Sequence, residues 1–148
     1  DRLASDLKEI TEKYAADGIK AYISVNKALV TQSSAAIPIV PLYISILYKV
    51  MKEKGVHEGC IEQMYRLFAE KFGADGKPVS GAVDGEGRIR LDDLEMKPEI
   101  QDEVTKLWNI LNADNFKEYT DIEGYWKDFY ELFGFGIDGV DYEADVEV

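Results

Sequence analysis

Tyr48 and Lys52 stand four residues apart, the spacing that puts a phenol and an ammonium on one face of a helix. In such a pair the ammonium lowers the phenol pKa, and the phenol serves as a general acid. Tyr-Lys pairs at this spacing also arise by chance, and Lys52 lies in the charged run Lys52-Glu53-Lys54, where solvation is the rival role. His57 is the sole histidine, three residues from Cys60 and near Glu58 and Glu62. A metal centre would need further His or Cys ligands, and no orienting motif surrounds a His-Cys nucleophile pair. The expectation is a histidine at a helix start and a buried, structural cysteine. Ala82 to Asp93 approximates a calcium loop, with Asp84 and Glu86 at its third and fifth positions and Gly87 at its sixth. Its first position is Ala82 and its twelfth is Asp93 rather than a bidentate glutamate, so a solvated acidic turn is expected, with no metal. Neither a G-x-G-x-x-G nor a Walker lysine loop is expected, and so no phosphate cradle for a nucleotide within this chain.

The elements that must position these residues are mostly helical. Leu3, Leu7, Ile10 and Tyr14 form an apolar stripe on a helix that starts near Asp1 and stops at Asp17-Gly18. Ala21 to Val25 reads as one strand buried on both faces, as in a parallel sheet. A helix running directly into such a strand is half of a βαβ unit, and the chain does not open on Met, so residues are expected to precede Asp1. The apolar run from Ala35 to Val50 is shorter than a membrane span and carries Pro38, Pro41, Ser45 and Lys49. It predicts a buried helix from Pro41 to Lys54, with Gly55 as its stop.

A further helix is expected over Glu58 to Phe72, with Ile61, Met64, Tyr65, Phe68 and Phe72 on one face. Glycine-rich turns follow from Gly73 to Gly87, with a short exposed strand over Arg88 to Leu91. Pro98 opens a helix to Leu111 with Ile100, Val104, Leu107, Trp108 and Leu111 inward. Asp114 is expected to cap a short turn. Asp121 is expected to cap a last helix presenting Ile122, Tyr125, Trp126, Phe129, Leu132 and Phe133, which Gly134 ends. Asp138 to Val148 shows no helical period. The sheet that a buried strand requires is expected from residues outside this chain.

The 148 residues are 46% hydrophobic, enough for an ordinary core, and the single cysteine permits no internal disulfide. A net charge of −12 disfavours nucleic acid as a partner and suits a cytoplasmic protein.

Several segments together carry a resemblance. These are Ser24 to Thr31, Ala36-Ile37-Pro38, Pro41-Leu42-Tyr43, Val50 to Gly55, His57 to Gln63, Gly87 to Asp93 and Val140 to Val146. In this order and spacing they resemble the bacterial, single-chain NADH-dependent trans-2-enoyl-CoA and enoyl-[acyl-carrier-protein] reductases. The resemblance implies an α/β fold, the C-terminal part of a short-chain-dehydrogenase-like Rossmann fold with extra helices. This fragment itself is expected to be mostly α-helical with one buried strand. Residues 1–56 would end the Rossmann core and supply a substrate-covering helix, and 57–148 would form a family-specific helical segment.

The resemblance further implies an oxidoreductase of fatty acid biosynthesis that uses NADH to reduce the 2,3 double bond of an enoyl-CoA or enoyl-acyl-carrier-protein. The family's glycine-rich loop, catalytic tyrosine and lysine have no match here, so no catalytic residue is assigned and the fragment is expected to be inactive alone. Its partner would be the N-terminal part of the same enzyme. Tyr43 and Lys52 share the family pair's separation, but nine helical steps of ~100° put them on opposite faces. Leu29, Val30 and Thr31 are implied as cofactor-contacting, since ligands sit where chain leaves the carboxyl end of a parallel strand. Tyr48 and Tyr125 are implied to approach the acyl pocket. The family's tail carries a flavin-binding label, yet no flavin is expected. The rival reading is a non-enzymatic acidic helical binding module with one degenerate calcium loop.

Overall fold

The computed structural model describes residues 2–145; Asp1 at the expected helix start and the matched Val146 lie outside them. The chain divides into two compact units, residues 1–28 with 58–97 and residues 29–57 with 98–148. Among the described residues no helix is long and apolar enough to cross a membrane.

In the first unit, α1 (Arg2–Lys13) ends in a 3-10 turn and Gly18, whose φ of 74° suits a residue without a Cβ. Its apolar stripe is not buried: Leu3 is 56% exposed and Ile10 43%. The expected strand is shorter than its apolar run. Only β1 (Ser24–Val25) pairs, and residues 21–25 are half-buried rather than enclosed. Its partner lies within this chain, correcting the expectation of a sheet supplied wholly from outside. β2 (Ile89–Arg90) runs parallel to it, Ser24 opposite Ile89 and Val25 opposite Arg90. Nor is the Arg88 to Leu91 segment an exposed strand, since Ile89 and Leu91 are buried beside Leu67, with Tyr22, Met64 and Phe72 packed around them.

Helix α4 (Cys60–Glu70) turns much of its apolar stripe to solvent, although Met64 packs inward. Ile61, Tyr65 and Phe68 are 77%, 72% and 70% exposed, while Gln63 and Arg66 are buried with Leu67. The buried polar face holds because each group is satisfied. Gln63 accepts the Lys27 N–H, and Arg66 forks onto Glu58 while also donating to Asp93 and the Leu91 carbonyl, all at 2.7 Å. Cys60, expected inside, stands exposed in the first turn.

The second unit is built on α3 (Val40–Glu53), whose residues Ile44 to Tyr48 are buried without interruption, as its all-round apolar first half predicts. α3 packs against α5 (Pro98–Ile110), α7 (Ile122–Glu131) and the short α2 (Gln32–Ala36), which the sequence reading omits. α5 buries Ile100, Val104 and Leu107 as expected, while Trp108 and Leu111 are only half-buried. The short turn is α6 (Phe116–Tyr119), and its cap position is Asn115 rather than Asp114. Asp121 caps α7 by accepting the Gly124 N–H at 3.1 Å. Of the apolar residues read onto α7, only Tyr125 is buried. Trp126, Leu132 and Phe133 are each at least 44% exposed, and Ile122 and Phe129 are half-buried.

Candidate functional site

The sequence-assigned residues Leu29, Val30, Thr31, Tyr48 and Tyr125 all fall in the second unit. Thr31 is the N-cap of α2. Its hydroxyl accepts the Ser34 N–H at 3.0 Å, and the Ser34 hydroxyl returns the bond by accepting the Thr31 N–H at 2.8 Å. The Ser34 hydroxyl also lies 3.0 Å from the Leu29 carbonyl, to which it can donate. Val30 is buried, with its N–H 3.4 Å from the Tyr48 hydroxyl.

Tyr48 is fully buried. Its hydroxyl donates to Asp128 Oδ2 at 2.7 Å, and its ring meets the edge of His57 with centroids 4.5 Å apart. Burial, and then the Asp128 carboxylate, hold its phenol far above the ordinary tyrosine range, the reverse of an activated acid. Lys52 does not reach that hydroxyl. It sits over the ring, 5.4 Å from the centroid, and binds Asp121 at 2.5 Å. Tyr43 accepts from Gln101 at 3.2 Å. Neither tyrosine therefore forms a dyad with Lys52.

Tyr125 lines an apolar groove of about 670 Å³ together with Gln32, Ala35 and Ala36 of α2, Pro41, and Ile122, Trp126, Phe129 and Phe133 of the α7 region. Burial raises its phenol pKa. Along α7 the aromatic rings meet edge to face: Tyr125 on Trp126, Trp126 on Phe129, and Phe129 on Phe133. Ile39, just before Pro41, holds a φ of 75°, a left-handed setting that a β-branched residue adopts only under strain. Asp128 escapes the sequence reading. Its one signal is a carboxylate on the Tyr125 side of a helix otherwise rich in aromatics.

The calcium-like loop holds its own charges. Asp84 accepts the Glu86 and Arg88 N–H groups and binds the Arg88 and Arg90 guanidiniums. The Arg88 N–H above all lowers its pKa to about 2. Asp93, which would close the loop, binds Arg66 and Lys71 instead. Among the described residues no group of three or more His, Cys, Asp or Glu could hold a metal.

Contrary to expectation, the chain does spell G-x-G-x-x-G, at Gly134-Phe135-Gly136-Ile137-Asp138-Gly139. A dinucleotide loop follows a strand and opens a helix. These glycines follow α7, all take φ near 80°, and run on into exposed turns in which Tyr142 accepts the Ile137 N–H and donates to the Gly134 carbonyl. They form no phosphate cradle.

Residues 1–72 match the family described as the trans-2-enoyl-CoA reductase catalytic region, and residues 83–146 match the enoyl reductase FAD binding domain. The chain is 56% identical over its whole length to a trans-2-enoyl-CoA reductase [NADH] of Ruminiclostridium cellulolyticum, covering 36% of that protein. It is 58% identical over 87% of its length to an enoyl-[acyl-carrier-protein] reductase [NADH] of Coxiella burnetii, covering 31% of it. The crystal structure of Clostridium acetobutulicum trans-2-enoyl-CoA reductase in complex with NADH superposes with a TM-score of 0.86 at 49% identity, over 98% of this chain and 36% of that one. The Treponema denticola enzyme in complex with NAD superposes with a TM-score of 0.84 at 44% identity, over 97% of this chain and 35% of that one. The chain thus spans about a third of the length of these relatives.

The second matched description raises a fit question. Within 83–145, four of the six basic side chains, Arg88, Arg90, Lys106 and Lys127, are each bound to a carboxylate of the same segment, and its glycine motif forms no cradle. These four paired cations and this motif do not fit a flavin pyrophosphate.

Proposed function

We propose, for a chain that belongs to the family of trans-2-enoyl-CoA and enoyl-[acyl-carrier-protein] reductases, that it forms the C-terminal portion of an NADH-dependent enoyl thioester reductase. Residues 1–56 complete a Rossmann core and its substrate-covering helix, and 57–148 form the helical segment beyond it. One observation carries this reading. Thr31 caps α2, and Gln32, Ala35 and Ala36 of α2 wall the apolar groove, so the cofactor-contacting segment runs directly into the lining of an acyl-sized groove.

The donor set at Leu29 to Thr31 suits a nicotinamide carboxamide. The Leu29 N–H meets its oxygen, and the Leu29 carbonyl, which takes one hydroxyl, keeps a lone pair for its amide. When bound, NADH supplies the hydride that adds to C3 of the enoyl thioester. Leu29, Val30 and Thr31 orient that end of the site, while Tyr48 from below Val30 and Tyr125 from α7 shape the acyl side. Tyr48, buried and bound to Asp128, packs and positions rather than giving up its proton. The proton donor and phosphate loop belong to residues outside this chain. The substrate is an enoyl-CoA or an enoyl-acyl-carrier-protein. The acidic binding module is the weaker reading, because the loop it depends on is bound to its own arginines.

Substrate-length selectivity tests the groove. In the complete reductase, Ala35→Phe fills the groove and should raise KM for long trans-2-enoyl-CoA while sparing crotonyl-CoA, followed by loss of the reduced nicotinamide absorbance. Equal effects on both lengths would remove the groove from the acyl path. The chain by itself should not oxidise NADH with crotonyl-CoA, and clear turnover would refute the assignment of the proton donor elsewhere.

A further inference from the structure

A carboxylate and an ammonium, both buried, close on one residue. Glu95, 6% exposed, accepts the Ala28 N–H at 2.7 Å. Lys27, 2% exposed, donates from Nζ to the Ala28 carbonyl at 3.0 Å. One residue earlier, fully buried Gln63 accepts the Lys27 N–H at 2.8 Å. Burying an ammonium and a carboxylate is expensive, and neutral groups such as Gln63 suffice to hold a loop.

Charge does something here that a neutral clamp does not. The Ala28 carbonyl and the Leu29 N–H belong to one planar peptide group. An ammonium on that carbonyl polarises the group and makes the Leu29 N–H a stronger donor. Among the described residues this N–H has no acceptor, and Leu29 opens the segment assigned above to the nicotinamide carboxamide.

We infer that Lys27 and Glu95 are positioning residues for cofactor binding. Glu95, with Gln63, fixes the turn that delivers Leu29, and Lys27 sharpens the Leu29 N–H as a donor to the carboxamide oxygen. The inference rests on the reductase reading, and wild-type activity separates the two. A complete enzyme that does not oxidise NADH with crotonyl-CoA defeats the reductase reading whatever the clamp does.

With an active wild type, the double variant Lys27→Met/Glu95→Gln removes both charges together and leaves an amide oxygen for Ala28. Its KM for NADH, and the Kd from NADH fluorescence, should rise about tenfold. Its KM for crotonyl-CoA and its kcat should change less than about twofold. A purely structural role lowers the thermal midpoint and the active fraction without moving the KM for NADH. A folded double variant with wild-type KM for NADH therefore overturns the inference. Lys27→Arg and Glu95→Gln, made singly, serve if the double variant does not fold. The first keeps the charge and should preserve KM for NADH, the second should raise it about threefold, and equal values for both also overturn it.

Discussion

Replacing Tyr48 by Phe removes one oxygen and leaves the ring packed, so it isolates the hydrogen bond to Asp128. That bond is 2.7 Å long with a carboxylate acceptor, a class that contributes ~1.5–3 kcal/mol net. Asp128 is half-buried and can recruit water when the hydroxyl goes, which places the cost at the low end, about 1.5 kcal/mol. The Val30 N–H, at 3.4 Å, adds little. At a urea slope of ~1.5 kcal/mol/M the unfolding midpoint should fall by about 1 M. Trp126 lies on α7 two positions before Asp128, so its fluorescence reports the affected helix.

The same substitution carries a pH signature. Burial and Asp128 raise the Tyr48 pKa, so the fold favours the protonated phenol. A raised pKa stabilises fully below the unfolded value of ~10, and that stabilisation is lost as pH climbs past it. The loss runs at ~1.4 kcal/mol per pH unit, so the wild-type advantage over Tyr48→Phe should close about one unit above pH 10. Urea titrations of both proteins at neutral and alkaline pH read this directly. A gap that is absent at neutral pH, or that stays flat or widens as pH rises, refutes the placement of a neutral phenol against that carboxylate.

Arg66→Met should cost about 3 kcal/mol, because it leaves Glu58 and the Leu91 carbonyl without their buried partner, whereas half-exposed Asp93 retains Lys71; chemical unfolding followed by circular dichroism measures it. Asp84 is held at a pKa of about 2, so its stabilising effect is complete above the ordinary carboxyl value of ~4 and fades as pH falls towards about 2. The thermal midpoint of Asp84→Asn should therefore trail wild type at neutral pH and meet it near the acid limit, and a gap that survives there would contradict the bonds drawn from Asp84 to Arg88 and Arg90. On α4, Leu67→Ala should cost ~2–3 kcal/mol and Phe68→Glu less than ~0.5 kcal/mol, a ranking that thermal melts can reverse only if the helix is turned the other way.

The sequence made the helices legible where local signals agree. The proline near its first turn and the all-round apolar run fixed α3, Pro98 and a regular stripe fixed α5, and the Asp121 cap fixed the start of α7. Periodicity failed on α4 because it weighs only apolar side chains. Gln63 and Arg66 go inside because residues 27, 58, 91 and 93 satisfy them, and no local pattern announces partners 8 to 36 positions away. The strand was overlong for a similar reason. Ala21-Tyr22-Ile23 has strand composition, yet only Ser24 and Val25 enter the ladder with β2.

The site divides along the same line. The residues proposed to act through type and position, the Leu29 to Thr31 segment and the groove aromatic Tyr125, are proposed from a resemblance. Residues that act by holding another atom could not be named in advance. Asp128 reaches Tyr48 across 80 positions and Glu95 reaches Ala28 across 67. Each matters through a single oxygen whose partner the fold alone supplies. A buried polar side chain satisfied by distant backbone costs more to desolvate than an apolar one, and it specifies one geometry rather than a packed volume. Among the described residues, such long-range polar bonds lie at the turn that leads to Leu29 and on the helix that walls the groove, and also at Arg66 on the Leu91 carbonyl. Under the proposed function, the first two are where the nicotinamide and the acyl chain would be held in fixed positions.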